Sequence, residues 1–276
     1  MNQYHDLLKD ILQNGEDRGD RTGVGTKSVF GRQLRFDLSS EFPAITTKKL
    51  AFNACKGELL WFLEGSTDER RLAEITHGTK DGTVTIWTPN ALAPYWKPKA
   101  KFEGDLGTVY GKQMRDFGGV DQISELINSI KNDPMGRRHI VNHWNPPELS
   151  TGALPPCHVM HQYYVSTSGK LSCHMYQRSV DVFLGLPFNI ASYALITHMI
   201  AQVTNLQVGE LIISTGDTHL YLDAIEAANE QLSREQYPLP TLWLNPDINN
   251  IFDFKMDDIK LIGYQSHPAI KVEMAV

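Results

Sequence analysis

The run YQRSVDVFLGLPFNIASYALITHMIAQVTN at residues 176–205 decides how this chain folds. Its first residues end a β-type run over 170–178, and polar Gln177, Arg178, Ser179 and Asp181 close that part. A Gly-Leu-Pro turn follows at 185–187. From Asn189 onward the residues are apolar nearly all round, which is the pattern of a helix buried on every side. A strand that hands over to a buried helix fits one mixed α+β domain. Asn189 lies near the helix start, where it caps the helix or presents one donor and one acceptor to a planar ligand.

On the N-terminal side, Tyr4, Leu7, Leu8, Ile11 and Leu12 share one helical face, with Gly15 as the stop. RTGVGTKSVFGRQLRFDL (21–38) alternates after a Gly-rich turn and reads as strand, and FNACKGELLWFLEGS (52–66) reads as a helix ending near Gly65. Residues 76–108 show little periodicity and are rich in Pro, Gly and Lys, so they read as long surface loops. Val120, Ile123, Leu126, Ile127 and Ile130 recur at helix spacing, and Pro134 ends that helix. Further β-type runs fall at 138–144 and 158–165. Downstream, residues 210–235 read as a strand, a turn and an amphipathic helix, and PLPTLWLNP (238–246) and IKLIGYQSHPAI (259–270) as strand-like pieces. No repeat or linker divides the chain, so 1–276 reads as a single domain.

Composition narrows the function. With 276 residues, 41% hydrophobic and 21% charged, the chain has the make-up of a globular protein. A formal charge of −6 argues against a nucleic-acid binder held by phosphates. No segment reaches the ~20 apolar residues of a membrane span. Asp6, Lys9 and Asp10 interrupt the apolar pattern of the N-terminus, which therefore does not read as a signal peptide. Three cysteines, Cys55, Cys157 and Cys173, show no CxxC and no metal-ligand spacing, which fits a reducing cytoplasm and no metal.

Cys157 stands apart from the other two. In ALPPCHVMHQYYV (153–165) it follows two prolines, which fix φ and lack N–H donors, so it sits where a rigid loop meets a strand. That placement suits an incidental packing thiol or a nucleophile held at a fixed angle. Cys55 and Cys173, inside regular elements, read as packing residues. A thiolate at neutral pH needs nearby positive charge, and Arg21, Arg137, Arg138 and Arg178 are the candidates, each of them equally consistent with a solvated surface charge. His219 and Tyr221 share one face if their segment is extended.

Together PPCH, YQRSVDVFLGLPFNIASY, GDTHLY, DRTGVGT, ELLWFLEGST and the terminal HPAIKVEMAV resemble the folate-dependent thymidylate synthase family. The resemblance runs in order from about residue 2 to the C-terminus and is weakest over 76–105. It implies a mixed β-sheet packed with helices, with the sheet forming a homodimer interface. It implies conversion of dUMP to dTMP with 5,10-methylenetetrahydrofolate as cosubstrate and no metal. Cys157 would add to C6 of the pyrimidine. Arg21 and Arg178 of one chain, with Arg137 and Arg138 from the other, would take the phosphate, helped by Ser179. Asn189 would read the uracil edge, and His219 and Tyr221 would bind the ribose 3′-hydroxyl. Glu58 would organise proton transfer, with Tyr110 and His158 holding ordered water. Trp87, Asp181, Gly185 and the Val276 carboxylate would meet the folate.

Some positions depart from the family pattern. Thr88, Thr108, Met114, Asn142, His143 and His161 stand where aspartate, proline, tryptophan, small residues or no extra histidine are common. The added histidines read first as buried packing residues. Polar changes near the folate wall also admit a dUMP hydroxymethylase, in which water replaces hydride at the exocyclic carbon. A non-catalytic RNA-binding homologue is the third reading, and the intact set of Cys157, Glu58, Asn189 and arginines speaks against it.

Overall fold

In chain order the elements are α1 (Asn2–Asn14), β1 (Glu16–Arg18), β2 (Thr26–Asp37), α2 (Phe52–Leu63), α3 (Glu69–His77), α4 (Thr88–Ala91), α5 (Tyr110–Arg115), α6 (Gln122–Asn132), β3 (Ile140–Asn142), β4 (His158–Val165), β5 (Lys170–Asp181), α7 (Gly185–Val203), β6 (Gln207–Tyr221), α8 (Ile225–Ser233), β7 (Thr241–Leu244) and β8 (Ile259–Ile262). The computed structural model describes residues 1–20 and 22–272. Among them, no helix is long and apolar enough to cross a membrane.

The first six strands form one mixed sheet in the order β1-β2-β6-β5-β4-β3, and β7 pairs with β8 apart from it. β5 and β6 run parallel while the other neighbours are antiparallel, so the chain must cross over between them. α7 makes that crossing and is buried from Leu186 to Val203, as its all-round apolar pattern requires. It packs against α2, β5 and β6, and its side chains join one hydrophobic core that extends from Tyr4 to Ile259. The fold is α+β, as the sequence implies. The opposite face of the sheet leaves Phe30, Tyr164, His174 and Tyr176 exposed.

Local chemistry sets the element ends. Asp121 accepts the N–H of Ser124 at 3.1 Å and starts α6, so Val120 falls before the helix and is exposed rather than on its buried face. Asp68 accepts the N–H of Arg70 at 2.8 Å to start α3, and Gly78 ends it with φ +76°, a conformation that favours glycine. Gly216 on β6 leaves room for the backbone of β5, since a Cβ there would lie 2.7 Å from the carbonyl oxygen of Arg178.

The segment read as surface loop over 76–108 differs from that expectation. α3 runs to His77, α4 forms at 88–91, and Trp87, Ala91, Ala93, Trp96 and Leu106 are buried. These anchors are spaced irregularly, so no helical or strand period betrays them. The run at 138–144 shortens to the three residues of β3 at the sheet edge.

Candidate active site

Cys157 is half-buried at the entry to β4, immediately after the two prolines. Its N–H donates to Tyr110 Oη at 2.7 Å, and the N–H of His158 reaches the same oxygen at 3.4 Å. Arg178, on the neighbouring β5, donates from Nε to the carbonyl of Pro156 at 2.8 Å and from Nη2 to that of Pro155 at 3.0 Å. The same Nη2 lies 3.8 Å from Cys157 Sγ, and the guanidinium sits 5.4 Å from the centre of the Trp144 ring. The prolines thus expose carbonyls that clamp one arginine beside the thiol. Burial pushes the Cys157 thiol up from its ordinary value, and the Arg178 charge pulls against that. Among the described residues, the expectation that several arginines favour the thiolate is met by Arg178.

Glu58, on α2, lies near the Tyr110 hydroxyl, whose ionisation its charge opposes. Trp87 Nε1 donates to Glu58 Oε1 at 2.6 Å, and burial pushes the carboxyl up to about 7, the indole hydrogen bond opposing the shift. Trp87 itself is buried, its ring centre 5.9 Å from that of Trp61 and 6.0 Å from that of Tyr110. It therefore supports Glu58 from within the core. Tyr110 begins α5, and its ring lies tilted against that of His158, with centres 4.9 Å apart. Burial pushes the Tyr110 hydroxyl well above its ordinary range, so it stays protonated. The same burial lowers His158 to about 3, with His143 adding to the shift and an Asn189 hydrogen bond opposing it, so the ring is neutral. Asn189, in the first turns of α7, accepts from Gln177 Nε2 at 2.9 Å, which fixes the orientation of its amide.

A second group lies along the ends of β5 and β6. Ser179 pairs in register with Asp217, and Asp181 with His219. His219 Nδ1 bonds Asp217 Oδ1 at 3.0 Å, and Arg18 donates to the other oxygen of Asp217 at 2.8 Å. The rings of His219 and Tyr221 meet edge-on at 5.3 Å, so the two do share one face. Asp181 accepts the N–H groups of Phe183 at 2.9 Å and Leu184 at 3.0 Å just ahead of α7, which begins at Gly185. Burial raises the Asp181 carboxyl, with those N–H groups, His219 and Lys48 opposing.

Lys48 was not singled out by the sequence. It is buried, donates to the carbonyl of Phe183, and burial lowers it to about 8. Its only signal is a lysine after TT in an otherwise apolar stretch. Trp144, beneath Arg178, was also missed.

Arg137 and Arg138 are exposed in the loop before β3, and neither side chain makes an ion pair or hydrogen bond among the described residues. They are not drawn to Cys157 within one chain. Arg21 and Val276 lie outside the described residues. Among those residues, no group of His, Cys, Asp or Glu is arranged to hold a metal ion.

A fixed thiol and a carboxyl pushed up to about 7 are therefore linked through Tyr110, with an oriented amide and a clamped guanidinium in the same site. Such a set can add sulfur to an electron-poor ring and move protons around it. The family model described as thymidylate synthase matches residues 2–276.

Proposed function

The chain belongs to the thymidylate synthase family, and from that premise we propose that it converts dUMP to dTMP, drawing both the one-carbon unit and the hydride from 5,10-methylenetetrahydrofolate. C5 of uracil is a poor nucleophile. Addition of the Cys157 thiolate at C6 gives an enolate and turns C5 into a carbanion equivalent. The observation that carries this reading is the Arg178 guanidinium held 3.8 Å from Cys157 Sγ by the two proline carbonyls.

The dianionic phosphate would be taken by Arg178 and Arg21, and by Arg137 and Arg138 of the partner subunit, with Ser179 adding a hydroxyl. Asn189, its amide oriented by Gln177, would present its amide oxygen and N–H to N3–H and O4 of uracil. His219 and Tyr221 would hold the ribose 3′-hydroxyl. Glu58, near its midpoint at neutral pH, can give and take the protons that move at C5 and at the folate nitrogen. Tyr110 and His158 stay uncharged and would hold ordered water between them. Asp181, Trp87, Gly185 and the Val276 carboxylate would face the folate, and no metal takes part. The enzyme would act as a cytoplasmic homodimer of one catalytic domain spanning 1–276.

A second reading, dUMP hydroxymethylation, is favoured by one feature: His143 and His161 place polar atoms with no partner among the described residues close behind His158.

Incubation with 5-fluoro-dUMP and methylenetetrahydrofolate tests the shared chemistry. The expected result is a covalent adduct on the peptide carrying Cys157, read by mass spectrometry. Absence of an adduct, or one on another residue, overturns the proposal. With dUMP itself, a rise in absorbance from dihydrofolate marks hydride transfer, and its absence with a hydroxymethyl product selects the second reading.

A further inference from the structure

Five polar rings close a circuit behind the nucleophile loop. Ring centres lie 5.3 Å apart for Tyr110–His143, 5.3 Å for His143–His161, 5.2 Å for His161–Tyr193, 5.2 Å for Tyr193–His158 and 4.9 Å for His158–Tyr110. Three members are almost wholly enclosed, with exposures of 1% for His143, 0% for His161 and 3% for Tyr193. His143 Nδ1 is taken by the carbonyl of His158 at 3.1 Å, and His161 Nδ1 by Tyr163 Oη at 3.1 Å. Each ring is left with one polar atom, Nε2. Both Nε2 atoms and Tyr193 Oη are buried with no hydrogen-bond partner among the described residues. Three orphaned polar groups in adjacent rings call for water, because a buried water satisfies two to four such groups at once. Burial keeps both histidines neutral, so a water can accept from one ring and donate to another.

The circuit also has an outlet. A cavity of about 10 Å³, lined by Leu59, Phe62, Met114, His158, Ser192 and Tyr193, adjoins it, and that is the space one water needs. Leu59 follows Glu58 on α2, so the cavity lies between the helix of the proton-shuttling carboxyl and the circuit.

We propose that His143, His161 and Tyr193 hold ordered water behind His158, and that this water makes them determinants of the final acceptor, hydride or water, at the exocyclic carbon. The inference rests on the dUMP–folate reading above. Once the folate amine has left, the bound nucleotide carries Cys157 on C6 and a methylene on C5. The oxygen of water bonds to that methylene carbon and its proton passes to the Glu58 side of the site. The methylene π pair moves to the C4 carbonyl as an enolate. The enolate pair then forms the C5–C6 double bond as the C6–S bond breaks and sulfur leaves as thiolate. The folate stays a tetrahydrofolate, so no oxidant or reductant is consumed. The three residues act through the water, and they are positioning residues.

The test is the ratio of 5-hydroxymethyl to methyl nucleotide, measured chromatographically on single-turnover mixtures. The wild-type protein is expected to release mainly the methyl nucleotide, with a measurable minor share of the 5-hydroxymethyl one. The double variant His143→Ala, His161→Phe should lower the ratio at least about fivefold, the effect of losing roughly one hydrogen bond to the attacking water, with KM for dUMP nearly unchanged. Tyr193→Phe, which keeps the ring and removes one oxygen, should lower it in the same direction and covers the case in which the double variant does not fold. His198→Phe, which removes an unpartnered ring nitrogen packed against Phe42 away from the circuit, should leave it unchanged. A ratio unmoved by the variants, a ratio moved equally by His198→Phe, or a wild-type product that is wholly methyl overturns the inference. Failure of the parent reading shows separately, as no adduct on Cys157.

Discussion

Glu58 shows how one side chain is set by its surroundings rather than by its type. An unfolded glutamate ionises near 4.5, and the folded one near 7, because burial disfavours the charge more than the Trp87 hydrogen bond supports it. Between those values the folded state binds the extra proton. The contribution of Glu58 to stability is therefore most favourable below the unfolded value and falls as pH rises through the window, reaching its least favourable level above the folded value. Glu58→Gln removes that dependence. The difference in Tm between variant and wild type should grow in favour of the variant from about pH 5 to about pH 8, read by calorimetry across a buffer series. Turnover should fall about 100-fold or more, since a proton shuttle has been lost. A Tm difference that stays flat would show that the folded carboxyl ionises like a free one. The sequence placed Glu58 in an apolar helix and so pointed to burial, but the indole that holds it comes from a distant segment with no readable period.

That segment is best understood at the scale of elements. Glu69, the first residue of α3, is buried and accepts from Arg70 Nε at 2.6 Å, Thr85 Oγ1 at 2.6 Å and Thr88 Oγ1 at 2.5 Å. Arg70 in turn donates to the carbonyls of Lys80 at 2.9 Å and Thr83 at 3.0 Å, and Thr85 Oγ1 takes the N–H of Trp87 at 3.2 Å. One carboxylate and one guanidinium therefore pin residues 80–88 and, through them, the Trp87–Glu58 contact. The departure at Thr88 acquires a physical role here, as a donor to Glu69. Glu69→Ala leaves Arg70 without its carboxylate partner and both threonine hydroxyls without the acceptor Glu69 supplies. It should destabilise the fold by about 3 kcal/mol or more, measured from the urea midpoint, with a red-shifted tryptophan emission as Trp87 becomes exposed. Unchanged emission would mean that packing alone holds the indole. Elements with a strong period were legible: α1, α6, the all-round apolar α7 and the alternating β2, β4 and β5. The short α4 and α5 were not, because a few residues cannot display a period, and α3 was not, because what fixes it is a polar network closed only in three dimensions.

At the scale of the whole molecule, two features of the single chain stand without an explanation inside it. Arg137 and Arg138 make no side-chain hydrogen bond or ion pair among the described residues, and one face of the sheet leaves Tyr164 and Tyr176 exposed. The residue types were legible from the sequence, yet their use was not, since a pattern along one chain carries no geometry between two. Both features fit a symmetric dimer in which each subunit lends its arginine pair to the other's site. If so, Cys157→Ser and Arg138→Glu are defects in different halves of the same site. Each variant alone should be inactive because every site in its homodimer carries the lesion. When the two are mixed and their subunits exchanged, a heterodimer gathers both lesions into one site and leaves the other intact. Random exchange then restores about a quarter of wild-type activity, the share of sites left whole. Turnover of the mixture before and after subunit exchange measures this directly, with size-exclusion chromatography to show that dimers persist. If each site were built from a single chain, every site would still carry one lesion after exchange, and the mixture would stay inactive.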